Sequence, residues 1–201
     1  MDDTASDEER LTRAVAAIDA ANADDPFTLV VDGVERPKEQ AHAELMTEWV
    51  RRLDPAADDA QLLAARAHHL RRWALPRQDF PEGRAGYLRW RTTLKRQHAE
   101  EVGSILAGVG YGTDTIERVQ RIIRKEGLGR DPQVQVHEDA LCLVFLQTQL
   151  NDVAAQLGDD KTIEVLQKTA RKMSEQGLAE AGRLSLDETG RSLLVRALSD
   201  G

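Results

Sequence analysis

Apolar side chains recur at helical spacing along nearly the whole chain, and no paired run of alternating apolar and polar residues competes with them. Leu11, Val15 and Ile18 form the first stripe, behind an acidic capping region at Ser6-Asp7-Glu8-Glu9. Pro37 suits the first position of a second helix, on which His42, Leu45, Met46, Trp49 and Leu53 share a face. Asp58-Asp59 opens a third helix expected to run to about Trp73, and a long fourth follows from about Arg84 to Ala107, ended by Gly108 and Gly110. A fifth runs from Thr113 to about Lys125. Asp131-Pro132 starts a helix that is apolar on all sides over residues 140–146, which marks it as the central one. Helices around 163–173, 178–184 and 188–198 complete the chain. Residues 28–31 are expected in an extended loop, because Val34-Glu35-Arg36-Pro37 makes a poor partner strand. These patterns predict an all-α, single-domain bundle of about seven or eight helices over residues 7–198, after a disordered acidic tip at 1–6.

Aromatic residues make up only 4% of the chain, so the core of such a bundle must come from Leu, Ala, Val and Ile. The single cysteine, Cys142, excludes an internal disulfide and sits in the apolar run as a small hydrophobe, which fits a reducing compartment. The acidic N-terminus lacks the pattern of a signal peptide, and no apolar stretch approaches the roughly 18 residues of a membrane span. A cytoplasmic protein that does not enter membranes is expected.

Charge is unevenly distributed. Residues 66–98 hold nine basic residues and two acidic ones inside a chain of net charge −8. The basic residues are Arg66, Arg71, Arg72, Arg77, Arg84, Arg89, Arg91, Lys95 and Arg96. Clustered guanidinium groups bind phosphate or carboxylate in bidentate fashion, so the segment points to an anion site, with Arg71, Arg72, Arg84, Arg89, Arg91 and Lys95 as candidates to hold it. The bland alternative is that these cations pair with the acidic excess elsewhere. Overall acidity argues against non-specific binding to duplex nucleic acid.

Three of the five histidines, His68, His69 and His98, fall in the same window. His98 shares a stripe with Tyr87, Leu94, Val102 and Ile105 and therefore faces the core. Glu138 and Asp139 immediately precede the all-apolar run, and a carboxylate entering a core needs a counter-charge, a histidine or a metal. Bundles build internal sites from side chains of several helices in this way. His69, His98 and Asp139 are candidate ligands of a divalent metal (Zn, Mn or Fe), with Glu138 as a catalytic carboxylate. The spacing signal is weak, because no helix is read as carrying a His-x-x-His or Glu-x-x-His pair. A metal-free His–Asp pair and a structural hydrogen-bond network remain open. His42 is a further possible ligand or an edge residue, and His137 is assigned to the surface.

The strings Ala64-Ala65-Arg66-Ala67-His68-His69-Leu70-Arg71-Arg72-Trp73, Pro76-Arg77, Gly86-Tyr87-Leu88-Arg89-Trp90-Arg91 and His98-Ala99 resemble an uncharacterised bacterial and fungal family. Glu138-Asp139-Ala140-Leu141-Cys142-Leu143-Val144-Phe145-Leu146 and Arg171-Lys172-Met173-Ser174 match it too, so the resemblance covers about residues 13–198. The family is catalogued as a domain of unknown function, and some members carry a glutamyl-tRNA synthetase label. The resemblance places His69, His98, Glu138 and Asp139 within its motif strings. A weaker likeness is to the HD superfamily of helical metal-dependent phosphohydrolases, in which His69 would stand in the His-Asp pair and Asp139 would be the distant Asp. Leu70 follows His69 where that superfamily has Asp.

The expected function is a metal-dependent hydrolase of HD-like type acting on a small phosphorylated or other anionic substrate. A non-catalytic nucleotide- or RNA-binding module, with Tyr87 or Trp90 as a stacking surface, is the alternative from a different class. An iron-dependent oxygenase on an HD-like bundle is a third.

Overall fold

The molecule is described by a computed structural model covering residues 7–31 and 33–199; the expected disordered tip at 1–6 lies outside the described residues. Helix α1 (Asp7–Asn22) starts on three acidic residues and buries Ala14, Ile18 and Asn22. A two-stranded antiparallel hairpin follows, β1 (Thr28–Val31) against β2 (Val34–Pro37), with Thr28 opposite Pro37 and Gly33 in the turn at φ +79. The expected loop is thus a hairpin. Asp25 closes its base by accepting from the backbone N–H groups of Phe27 (3.0 Å) and Glu39 (2.8 Å), a link that pairing propensity alone does not reveal. Pro37 lies at the outer end of the ladder and leads straight into α2 (Lys38–Leu53).

Asp58 and Gln61 form a reciprocal capping box that starts α3 (Asp59–Arg66). This helix stops well short of Trp73. Residues 67–71 turn out of the helix, Arg71 takes a left-handed conformation at φ 51, and its N–H donates to Asn22 Oδ1 at 3.0 Å. Two short 3₁₀ turns, Arg72–Ala74 and Arg77–Asp79, then lead to the 27-residue α4 (Gly83–Val109). Arg77 ties this connection by donating to the carbonyls of Phe80, Pro81 and Gly83.

Helix α5 (Thr113–Arg124) is followed by α6 (Pro132–Thr148), whose cap, Asp131, accepts from the N–H groups of Gln133 and Val134. The chain continues through α7 (Leu150–Leu157), α8 (Asp159–Ala170), α9 (Glu175–Ala181) and α10 (Glu188–Ser199). The described residues therefore make an all-α bundle with one small hairpin and ten α-helices, more than expected, partly because Gln149 breaks α6 from α7 with φ −129. None of these helices is long and apolar enough to cross a membrane.

Two apolar cores share the burial. One joins α2 and α6 to the C-terminal helices through residues such as Met46, Val50, Leu143, Leu166 and Leu193. The other joins α1, α3, α4 and α5 through Ile18, Leu63, Leu106, Val119 and Ile122. Polar side chains from elements of both cores meet around the residues that leave α3, and the candidate site lies there.

Candidate functional site

All five histidines of the chain converge, although they come from four parts of the fold. Glu39 and His42 lie one turn apart on α2 and share a face. His42 Nδ1 lies 3.2 Å and His69 Nδ1 3.0 Å from the same oxygen, Glu39 Oε2. The His69 ring stacks on that of His68 at 4.1 Å between centroids and lies 6.1 Å from those of both His42 and His98. His68 Nδ1 meets His137 Nε2 of α6 at 3.0 Å. His137 is 1% exposed, so its assignment to the surface is overturned: its ring packs inward against His68. The early end of α3 makes this convergence possible, because it frees His68 and His69 from helical geometry.

Burial sets the charge state of these rings. It pushes His69 down to about 3 and His137 to about 3, and, with the Arg72 charge, His98 to about 4. His68 is also driven well below its ordinary value, first by burial and then by its histidine neighbours. These imidazoles are neutral at pH 7. Burial alone would raise the Glu39 carboxyl, but the two imidazoles bonded to it prevail and hold it well below the ordinary range. A neutral His69 has one consistent tautomer: Nδ1–H donates to Glu39, and Nε2 accepts from an Arg72 guanidinium N–H at 3.1 Å.

Glu39, His42 and His69 each offer a ligand atom, and these atoms all lie within 4.8 Å of one another. One carboxylate and two imidazoles suit a divalent transition metal, so this cluster could hold such an ion. Of the sequence candidates only His69 belongs to it. His98 lies in the same histidine group but outside this trio. Glu39 was not among the candidates, and the reading that no helix carries a Glu-x-x-His pair is overturned: Glu39-Gln40-Ala41-His42 is one, at the start of α2. That spacing was the available signal.

Asp139 is engaged elsewhere. One oxygen accepts from Ser174 N–H (2.9 Å) and Gln135 Nε2 (3.0 Å), and the other from the Ser174 hydroxyl. Gly177 of α9 packs so closely that a Cβ there would meet Asp139 Cγ at 2.7 Å. The carboxylate thus fastens the start of α9 to α6 and does not join the imidazoles as a ligand. Asp139→Ala leaves these donors unmet and is expected to cost about 2 kcal/mol in urea unfolding; a loss below about 0.5 kcal/mol would contradict the brace.

Beside the histidines lies a cavity of about 340 Å³. His68, His69 and His98 form part of its wall, and the Nε2 atoms of His68 and His98 are buried with no hydrogen-bond partner among the described residues. Arg72, Arg91, Lys95, Lys125 and Lys172 also line it, against a single carboxylate, Glu138. Lys125 and Lys172 share Glu138, with Lys172 at 4.0 Å, whereas among the described residues Arg72, Arg91 and Lys95 form no ion pair. Burial lowers the pKa of Arg72, Lys95 and Lys125, a sign of cations held partly out of water. Leu94, Leu141 and Phe145 supply apolar wall. Cys142 also lines it, but burial pushes its thiol up to about 12, so it is no nucleophile.

Backbone strain gathers at the same place. Among the described residues, the two non-glycine residues with positive φ are Arg71, which precedes Arg72, and Lys125 itself at φ 60. Each such residue costs on the order of 1 kcal/mol or more, and strain of this kind clusters at functional sites.

The basic segment divides in two. Arg72, Arg91 and Lys95 reach the cavity, while Arg84 and Arg89 are exposed and, like Arg71, do not line it. Arg66 is structural, paired with Asp19 at 2.6 Å and Glu44 at 3.4 Å, and Arg96 pairs with Glu100 on the surface. Glu138 sits on the cavity wall, but as the partner of two lysines.

A family model described as "Domain of unknown function (DUF4202)" matches residues 12–194. No curated protein and no solved structure matches the chain.

Proposed function

The chain belongs to the DUF4202 family, and from its geometry we propose that it binds a small phosphorylated anion in the histidine-lined cavity and hydrolyses it with the help of a divalent metal. The observation that carries this is the cavity's charge: five cations against one carboxylate, in a chain whose net charge is −8. Its volume of about 340 Å³ lies at the small end of ligand pockets and suits a small molecule better than a polymer. Arg72, Arg91 and Lys95 hold the anion. His98 offers an uncharged Nε2 to a ligand hydroxyl or to water. Glu39, His42 and His69 would hold Zn, Mn or Fe, and such an ion supplies Lewis acidity toward water and phosphoryl oxygen. His69 belongs both to this cluster and to the cavity wall, so it links the two.

One observation favours a non-catalytic nucleotide-binding module instead. Both His69 nitrogens are already hydrogen-bonded without a metal, and Tyr87 stands 43% exposed on the cavity as a stacking face. Phosphate release from p-nitrophenyl phosphate separates the two readings. Metal-stripped protein is expected to become active with one of Zn, Mn or Fe and to lose at least about 100-fold in Glu39→Gln. Phosphate binding without release under any of these metals would make the chain a binding module.

A further inference from the structure

We propose that the ligand of this cavity carries two phosphoryl groups, as a diphosphate or a bisphosphate, with one group held at an arginine end and the other at a lysine end. The proposal rests on the anion-binding reading above and names its substrate class. With its histidines neutral, the cavity wall has an excess of four positive charges, because Glu138 offsets only one of the five cations. A single phosphate monoester, with a charge of about −2 at most, leaves half of that excess unmatched.

The cations also fall into two sets. Arg72 stacks over Trp90, with its guanidinium carbon 5.3 Å from the ring centre, and donates to His69 Nε2. Arg91 sits a helical turn from Tyr87 and donates to its hydroxyl at 3.2 Å. These are planar, fork-like donors beside aromatic rings. The second set gathers around Glu138: Lys125 and Lys172 contact it, and Lys95 feels its charge. Arg91, of the first set, also reaches the second electrostatically, since its charge acts on Lys95 and Lys125 as well as on Arg72. Glu138 keeps the three lysines from repelling one another in the empty site, while leaving that end net positive by two charges.

Strain and anchoring serve the same division. The left-handed backbone at Arg71 and Lys125 introduces one cation of each set. Gln135 holds the carbonyl of Lys172 at 2.8 Å, and Asp139 holds Ser174 two residues on, so the segment bearing Lys172 is pinned beside the cavity. A two-ended site also explains why so buried a lysine as Lys125 is kept next to Lys95 and Lys172.

Calorimetric titration of the full chain with inorganic phosphate and with pyrophosphate, at one pH and ionic strength, tests this. Pyrophosphate is expected to bind at least about 30-fold more tightly, as one further set of charge-assisted hydrogen bonds allows. In Lys172→Met that advantage should shrink to about threefold or less, with phosphate affinity changed by no more than about threefold. Equal binding of the two anions by the unaltered chain would overturn the two-phosphoryl proposal while leaving the anion site standing. Binding of neither would remove the anion site itself. An undiminished preference in Lys172→Met would show that the lysine end does not hold the second group.

Discussion

Lys125→Met is expected to lower the unfolding free energy by about 3 kcal/mol, and Lys125→Met/Glu138→Gln to recover most of that loss. The Lys125 side chain is 7% exposed and that of Glu138 3%, so the pair is desolvated on both sides. Removing the ammonium leaves a buried carboxylate whose remaining counter-ion, Lys172, is half exposed and 4.0 Å away. Replacing both partners removes the orphaned charge as well as the attraction. The left-handed backbone at Lys125 is retained in both variants, so it cancels in the comparison. Urea unfolding of the two proteins measures the coupling. Equal losses in the single and double variants would mean that the pair is not a closed unit.

Acidification should destabilise the protein steeply below pH 6.5. His69 and His137 are pushed down to about 3 and His98 to about 4, with His68 also well below its ordinary value. The unfolded chain takes up protons near pH 6.5, whereas the folded chain does not until far lower, so stability falls as pH falls through this window. Each imidazole kept neutral loses about 1 kcal/mol between pH 6.5 and 5.5, or about 4 kcal/mol for four. For a chain of this size that corresponds to a fall in Tm of about 10 °C. The depressed Glu39 carboxyl acts in the same direction, but only below its ordinary range near pH 4.5. Its share is present above that value and lost as pH falls further. A flat Tm between pH 7 and 5.5 would contradict the neutral, buried histidine cluster.

The helices were legible because each buries one stripe, and stripes at a 3.6-residue period are written directly in residues such as Leu45, Met46 and Trp49. The hairpin was not. Its closure depends on Asp25 bonding Glu39 N–H fourteen residues away, which no local pairing rule contains. The same kind of non-local event ended α3 early. Arg71 adopts φ 51 and donates to Asn22 of α1, and the turn this makes aims His68 and His69 at partners on α6 and α2.

The charge excess of residues 66–98 marks a segment from which Arg72, Arg91 and Lys95 line the cavity, but it does not say which members do so. Arg66 and Arg72 look alike in sequence, yet one pairs with Asp19 and the other lines the cavity. Asp139 was a natural candidate as a carboxylate beside an apolar run. Its actual partner, Ser174, caps α9, whose packing against α6 could not be read from spacing. Lys125 looked like an ordinary helix end and turned out to be a buried cavity cation.

Phosphorus NMR of inorganic phosphate titrated with the protein at pH 7.5 tests the proposed binding of an anion in the cavity most directly, with Arg91→Ala as the comparison. Arg91 is half-buried and, among the described residues, hydrogen-bonds only the Tyr87 hydroxyl, so its removal should leave Tm within about 2 °C of the unaltered chain. The account predicts saturable one-to-one binding with Kd on the order of 1 mM or tighter, and at least about tenfold weaker binding in Arg91→Ala. No saturable binding, or equal affinity in the two proteins, would contradict it.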